Sequence, residues 1–161
     1  MNHEGALALA IDARRATAQT LALATAHPTT ATMTASNTET VRRFCQSLVT
    51  GDMALAARHL SNDVFYQNMP WEPMRGARAV QEFLQPFVDG THCTLTSLDI
   101  HHQVAEGDTV MNARTEVWER RNLRVVLPVA GVFVLRESLI VRWCDYWDLA
   151  TFKPMLDAIS K

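Results

Sequence analysis

The sequence LIVRWCDYWDL at residues 139–149 predicts a β-strand that carries one carboxylate on an apolar face. Successive side chains of a strand point to opposite faces. Asp145 therefore shares its predicted face with four apolar residues, Leu139, Val141, Trp143 and Trp147. Burial among such residues costs a carboxylate its solvation, and it raises the pKa unless partners compensate. A carboxylate in this setting is typical of a general base.

Three more strands are predicted ahead of this one, separated by short turns. The turn signals are Gly107-Asp108, Arg121-Asn122 and Glu137-Ser138. These three strands run over about Thr94–Val104, Val110–Glu119 and Leu123–Leu135, and the strand that carries Asp145 is the fourth, over about Leu139–Asp148. Because connections this short join antiparallel neighbours, the second half of the chain predicts an antiparallel sheet.

The region from Ser36 to Phe87 predicts mainly helices. Ser36-x-x-Glu39 is a capping box that predicts the start of the first helix, and Gly51-Asp52 predicts its end and the start of a second. A short strand, Val64–Asn68, precedes a third helix at about Ala77–Phe87, and a last helix is predicted over Ala150–Ile159. Helices followed by an antiparallel sheet predict an α+β fold, in which a curved, mostly antiparallel sheet wraps a pocket and the N-terminal helices close it.

Residues 1–35 differ from the rest of the chain, because they are rich in Ala and Thr and contain no aromatic residue. We expect a mobile extension there and one folded domain over residues 36–161. Two alternatives remain open. Arg14-Arg15 ahead of the apolar residues 21–26 is a weak match to a twin-arginine export signal, and Met33 is an alternative start of the protein.

Composition excludes several classes of function. The 161 residues carry a formal net charge of −2 without a basic stripe, so nucleic acid is not an expected partner. No apolar run approaches the roughly 20 residues of a membrane span, which argues against a membrane protein. Cys45, Cys93 and Cys144 show no CxxC spacing and the histidines are scattered, so we expect free thiols in the cytoplasm and no metal site.

Two other predicted strands offer partners for Asp145. Arg114 and Glu116 share one strand face, and Tyr66 and Asn68 share another. Each pair alone is also explained by a surface ion pair or a strand end. Together with Asp145, however, one guanidinium could bridge two carboxyl groups that hold opposite protonation states. Tyr66 and Asn68 could hold a water beside the base, which is the equipment for adding water to a strained, neutral electrophile.

Four motifs resemble the limonene-1,2-epoxide hydrolase family. They are Tyr66-Gln67-Asn68-Met69-Pro70, Arg114-x-Glu116, Gly131-Val132-Phe133 and Trp143-x-Asp145-Tyr146-x-Asp148-Leu149, and the resemblance spans about residues 36–157. It implies a cone-shaped α+β fold similar to nuclear transport factor 2, to SnoaL-like proteins and to ketosteroid isomerase. It also implies a homodimer that needs no cofactor or metal and forms no covalent intermediate.

The resemblance also implies a role for each candidate catalytic residue. Asp145 would be the general base, Tyr66 and Asn68 would bind the attacking water, Arg114 would orient both acids, and Glu116 would protonate the epoxide oxygen. The family pattern has aspartate where this chain has Glu116. Glutamate is one methylene longer, so the donor oxygen must be held in place by some adjustment.

The same resemblance implies an apolar substrate cavity with five wall residues: Trp118, Leu127, Val129, Trp147 and Phe152. The two tryptophans are bulkier than the family's usual residues there, which indicates a narrower or differently shaped pocket. Pro128 lacks a backbone donor and predicts a strand edge or a bulge. Val125 and Leu135 are candidates for a dimer interface on the outer face of the sheet.

The expected activity is the addition of water to a small apolar epoxide, giving a vicinal diol. Three alternatives remain open from sequence. A hydroxyl of the substrate could replace water and close a ring, Asp145 could move a proton as in ketosteroid isomerase, or the domain could bind a ligand without chemistry.

Overall fold

The computed structural model describes residues 30–160 of the chain, with side chains from Met33 onwards. Four helices are present in this part of the chain: α1 Thr30–Leu48, α2 Met53–Ala57, α3 Ala77–Val88 and α4 Leu149–Ile159. Six strands accompany them: β1 Leu60–Asn68, β2 Met74–Arg75, β3 Thr94–Glu106, β4 Thr109–Arg120, β5 Leu123–Arg136 and β6 Leu139–Trp147. No helix of the described residues is long and apolar enough to cross a membrane.

The six strands form one curved, open sheet in the order β2-β1-β6-β5-β4-β3. All neighbours are antiparallel except β1 and β6, which run parallel. The prediction of an α+β fold with a mostly antiparallel sheet is thereby confirmed. The parallel pair places the end of β1 beside the end of β6, so residues far apart in sequence meet there.

A bulge in β6 corrects the predicted face of that strand. Val134 pairs with Arg142 and the next β5 residue, Leu135, pairs with Ile140, so β6 has one extra residue at Val141. The extra residue shifts the alternation. Ile140 is buried in the core, whereas Leu139 is 38% exposed and does not share a face with Asp145 as predicted. Strict alternation therefore holds only on the C-terminal side of the bulge.

Strand β5 lies in the middle of the sheet, yet its pairing with β6 begins only at Val129. At Pro128 the strand has β4 alone as a partner, so the predicted edge is confirmed on one side. The β4–β5 register is unbroken there, and the alternative of a bulge is wrong. Val125 and Leu135 are 6% and 2% exposed on the inner face, so the expectation that they form an outer interface is also wrong.

Helix α1 does not begin at the predicted capping box. It is continuous through Ser36, because the helix is already present at Thr30. Glu39 accepts hydrogen bonds from Arg42 and Arg43 on the next turn instead of capping a helix start. The domain boundary at residue 36 stays a prediction, and Arg14-Arg15 lies outside the described residues.

The sheet's inner face is covered by two groups of apolar side chains. One lies under helices α1 to α3 and includes Phe44, Phe133 and Trp143. The other lies under α4 and includes Val125 and Phe152. Helix α4 is capped by the side chain of Asp148, which accepts hydrogen bonds from Ala150 N and Thr151 N. The prediction placed Asp148 at the end of the preceding strand, but that strand ends at Trp147. The cavity described next lies between these two groups.

Candidate active site

The register of the sheet brings one row of residues together across four strands. Asn68 on β1 and Gly131 on β5 both pair with Asp145, and Asn112 on β4 pairs with Gly131. Arg114 lies two residues beyond Asn112 and therefore points to the same face. The strands thus bring residues from the first and last parts of the sheet to one point on its inner surface.

The guanidinium of Arg114 lies at the centre of this group of polar side chains. It donates from Nη2 to Asp145 Oδ2 at 2.6 Å, from Nε to Glu116 Oε1 at 2.8 Å and from Nη1 to Asn112 Oδ1 at 3.1 Å. The residue is only 2% exposed. Burial lowers the pKa of Arg114, but the charges of Asp145 and Glu116 more than offset burial, so the net pKa is raised and the guanidinium keeps its charge.

Gly131 provides the space through which Arg114 reaches β6. A Cβ atom at this position would lie 2.4 Å from Arg114 Nη1, 2.7 Å from Phe133 Cε2 and 2.9 Å from Asn112 Oδ1. These distances are shorter than real carbon contacts, so any side chain on β5 at this point would displace the guanidinium. Sequence reasoning missed this role, as well as that of Asn112, although both residues stood on the predicted inner face or in a quoted motif.

The two carboxyl groups differ in their surroundings. Asp145 is 5% exposed, and its Oδ1 atom has no hydrogen-bond partner in the structure while Oδ2 is held by Arg114. Both oxygens of Glu116 are partnered, Oε1 with Arg114 and Oε2 with the Trp118 indole N–H at 3.1 Å. Burial raises the pKa of Glu116; Arg114 opposes this, and the charge of Asp145 adds to it, with a net rise.

Tyr66 and Asn68 lie beside Asp145 at the end of β1. Tyr66 is 2% exposed and packs on Trp143 with a ring separation of 4.4 Å. Burial, followed by the charge of Asp145, raises the pKa of Tyr66 well above its ordinary value of 10, so the phenol stays neutral and can both donate and accept. Asn68 Oδ1 accepts a hydrogen bond from the Trp147 indole N–H, and the Asn68 side chain also hydrogen-bonds with the Tyr66 phenol.

These side chains line an inner cavity of about 60 Å³. Nine of the ten predicted site residues contribute to its wall: Tyr66, Asn68, Glu116, Trp118, Leu127, Val129, Asp145, Trp147 and Phe152. The tenth, Arg114, lies behind the two carboxyl groups that it holds. Eight further residues that sequence reasoning did not assign to the site complete the wall, four aromatic and four aliphatic: Trp71, Phe83, Phe87, Trp143, Leu48, Leu84, Val88 and Leu95.

The inner cavity adjoins an outer pocket of about 400 Å³, and the two share Tyr66, Asn68, Trp71, Phe83 and Phe87. The outer pocket gives the inner cavity a mostly aromatic approach. Within residues 30–160, no three His, Cys, Asp or Glu side chains come close enough together to hold a metal ion. The arrangement can abstract a proton at Asp145 and donate one at Glu116 around a small, mostly apolar space.

Comparison with known proteins identifies the family of the chain. The model of the limonene-1,2-epoxide hydrolase catalytic domain matches residues 35–159. This chain belongs to that family. It is similar to the epoxide hydrolase EphG of Mycobacterium tuberculosis, with 28% identity over 109 residues that cover 68% of this chain and 71% of EphG.

Solved structures show the same fold. An LEH-like epoxide hydrolase of M. tuberculosis matches with a TM-score of 0.68 and 27% identity, over 80% of this chain and 95% of that one. A putative isomerase from Bacillus subtilis matches with a TM-score of 0.68 and 17% identity, over 76% and 94%. A putative polyketide cyclase from Pseudomonas putida matches with a TM-score of 0.62 and 20% identity, over 74% and 96%. The last two likenesses concern the fold alone.

Proposed function

We propose that this protein is a cofactor-independent epoxide hydrolase that adds water to a small apolar epoxide and releases a vicinal diol. The observation that carries the proposal is the buried guanidinium of Arg114, which holds Asp145 at 2.6 Å and Glu116 at 2.8 Å at the wall of an apolar cavity. One of these carboxyl groups has an unpartnered oxygen, and the other has a raised pKa. The proposed base, Asp145, and the proposed acid, Glu116, are therefore held by the same guanidinium, in an arrangement suited to a concerted reaction.

The reaction consumes one water and one epoxide. Water hydrogen-bonded to Asp145 Oδ1 gives a proton to that atom while its oxygen attacks an epoxide carbon. The carbon–oxygen bond of the ring breaks, and the leaving oxygen takes the proton of Glu116. The diol then carries both oxygens as hydroxyls, with inversion at the attacked carbon. Return of the proton from Asp145 to Glu116 restores the site.

Tyr66 and Asn68 hold the water in this proposal. Asn68 pairs in register with Asp145, and the neutral phenol of Tyr66 lies next to it on β1. A water at Asp145 Oδ1 can therefore donate one proton to the base and the other to the Tyr66 hydroxyl oxygen, and it can accept one hydrogen bond from the Asn68 amide. Its second lone pair is then free and directed to the cavity, where the epoxide carbon lies.

The cavity walls indicate the class of substrate. Trp147 and Phe152 meet edge to face at 5.5 Å, and Trp118 meets Phe152 at 5.7 Å. Such a wall offers burial of hydrocarbon but few polar partners, so the substrate beyond its epoxide ring is apolar. The small inner volume favours compact epoxides, and a longer substituent would extend into the outer pocket.

The proposal is tested by replacing Asp145 with Asn. Loss of the base should abolish diol formation from a panel of terpene, cyclic and aryl epoxides, while circular dichroism shows a folded protein. Asp148→Asn is the matched control, because Asp148 lies three residues further on, caps α4 and is exposed. Near-normal turnover by Asp145→Asn would remove the mechanism.

Isotopically labelled water separates hydrolysis from an epoxide-opening cyclisation. In hydrolysis the attacking oxygen comes from solvent, so the product gains one labelled oxygen per turnover. In a cyclisation the attacking hydroxyl belongs to the substrate, and no label enters. An unlabelled product would replace hydrolase by cyclase as the function of the same site.

We also propose that the protein is a homodimer. The outer face of the sheet, here Met111, Ala113, Val126, Pro128, Ala130 and Tyr146, is apolar and exposed. These residues lie side by side, since Met111, Ala113 and Tyr146 sit next to β5 residues of the same face. An exposed apolar patch of this kind marks an interaction surface, and a second copy would cover it.

A further inference from the structure

We propose that Trp118 is a positioning residue for the acid: its indole N–H fixes the free carboxyl oxygen of Glu116 and so sets where the proton is delivered. The proposal rests on the hydrolase function above and goes beyond it, because the sequence assigns Trp118 only to the apolar wall. The role is not that of a catalytic residue, since the indole nitrogen touches Glu116 and not the reacting atoms.

The geometry of Glu116 requires a second anchor. Arg114 Nε holds Oε1 alone, at 2.8 Å, and the terminal torsion of a glutamate side chain is broad, so one hydrogen bond leaves the other oxygen able to swing. Trp118 Nε1 holds Oε2 at 3.1 Å. Donors on both oxygens fix the plane of the carboxyl group, which matters because a displacement of about 1 Å can cost about 100-fold in rate.

The indole itself is held in place by its neighbours. Trp118 lies two residues after Glu116 on β4, so both side chains point to the inner face. Its ring stands edge to face with Phe152 of α4, at 5.7 Å and 75°. Trp118 also packs against both groups of core side chains. A donor fixed in this way need not be ordered again at each turnover.

A second indole in the site provides a matched comparison. Trp147 donates to Asn68 on the water side of the cavity and also stands edge to face with Phe152, at 5.5 Å. The two tryptophans therefore share ring packing and differ in the group that their N–H holds. Replacement of either with Phe removes the donor and keeps an aromatic ring in the wall.

The effect of Trp118 on Glu116 appears in the pH dependence. The titratable and charged groups that face Glu116 are Arg114 on the same strand, Asp145 on β6, Tyr66 on β1 and Cys45 on α1. None of these is altered by Trp118→Phe. A donor to the carboxylate stabilises its ionised form, so loss of the donor raises the pKa of Glu116 and weakens the acid.

The experiment compares kcat and the pH profile of kcat/KM for wild type, Trp118→Phe and Trp147→Phe on one apolar epoxide. Turnover needs protonated Glu116, so activity falls as pH rises through its pKa, and this alkaline limb reports the acid. Trp118→Phe should lower kcat about tenfold and move the alkaline limb to higher pH by about one unit. Trp147→Phe should lower kcat through Asn68 and leave the alkaline limb unmoved.

A spectroscopic measurement tests the contact without turnover. The chain has four tryptophans, so its ¹⁵N–¹H spectrum holds four indole N–H signals, each assigned by the Phe variant that removes it. The Trp118 signal should titrate with pH in the wild type and stop titrating in Glu116→Gln. The Trp147 signal should be little affected by Glu116→Gln.

Two results would overturn the proposal: a Trp118 signal that ignores Glu116→Gln, or a Trp118→Phe enzyme with the wild-type kcat and alkaline limb. If wild-type protein turned over no epoxide, the hydrolase function would fail and the positioning role with it, while the indole signal would still report the hydrogen bond. The two failures are therefore distinguishable.

Discussion

At the scale of single residues, the site depends on three hydrogen bonds that the Arg114 side chain donates to three different acceptors. Arg114 binds Asp145, Glu116 and Asn112, and its path to Asp145 crosses β5 at Gly131. Asp145 and Glu116 were predicted as acceptors because they lie on predicted strand faces, whereas Asn112 lay on such a face without an assigned role. The path was not, since it depends on which β5 residue lies between Asn112 and Asp145 in the register.

Gly131→Ala should therefore impair the enzyme. Its added Cβ would lie 2.4 Å from Arg114 Nη1, and relief requires a shift of the guanidinium or of β5. Overpacking of this kind costs about 1–3 kcal/mol of stability, and the displaced ion pairs should lower kcat about 100-fold or more. Urea unfolding and steady-state kinetics measure the two effects.

The control for this variant is Gly107→Ala in the turn between β3 and β4, where no atom lies within 4 Å of the added Cβ. The φ of Gly107 is 56°, so alanine there strains the backbone and lowers stability without touching the site. Wild-type kinetics in Gly131→Ala would mean that Arg114 reaches Asp145 without needing this space.

Glu116 should also make stability depend on pH. Its folded pKa lies above the ordinary value of 4.5, so the folded state binds the proton more tightly than the unfolded chain does. The stabilisation is complete below about pH 4.5 and is lost as pH rises through the folded pKa. Each pH unit between the two pKa values is worth about 1.4 kcal/mol.

Glu116→Gln removes this dependence, so its stability relative to wild type should improve as pH rises above about 4.5. Urea unfolding midpoints between pH 4.5 and 9 measure the difference. Glu119→Gln, on the same strand with its side chain 45% exposed, is the control and should track wild type at every pH. A constant difference between Glu116→Gln and wild type would contradict the assignment.

At the scale of elements, the long antiparallel strands could be predicted closely, because apolar alternation and turn signals mark them. Strand β5 differs from its predicted range by one residue at its end. The sequence LSNDVFYQN of β1 was predicted only from Val64, because its burial does not alternate and its pairing with β6 shifts register between Leu60 and Phe65. The two-residue β2 carries no pattern that alternation could reveal.

The bulge at Val141 shows why the face of β6 was only partly predictable. A period of two assigns every second residue to one face, and one extra residue reverses the assignment on its far side. Trp143, Asp145 and Trp147 lie after the bulge and kept their predicted face, while Leu139 lies before it and did not. The faces of the β6 site residues, Asp145 and Trp147, were predictable because both residues lie on the same side of the bulge.

At the scale of the whole molecule, the described residues place their helices over the inner face of the sheet and leave its outer face uncovered. Ala130→Glu places a charge at the centre of the outer face, between Ala113 and Tyr146, and burial of that charge at an interface is unfavourable. Wild type should elute as a dimer of about twice 18.0 kDa and Ala130→Glu as a monomer, measured by size-exclusion chromatography with light scattering.

Leu55→Glu is the control for the dimer, because Leu55 is an exposed apolar residue on α2 and not on the sheet. It should leave the mass unchanged. A monomeric wild type would contradict the dimer and leave the hydrolase proposal standing, since Arg114 holds Asp145 and Glu116 of its own chain.

The parallel pairing of β1 with β6 has a consequence for protein synthesis. Asn68 and Trp147 are 79 positions apart, and Asp145 lies only two positions before Trp147. A nascent chain leaving the ribosome carries Tyr66 and Asn68 long before Asp145 or the strand that aligns them. Until β6 has been translated, the growing polypeptide cannot assemble the proposed site.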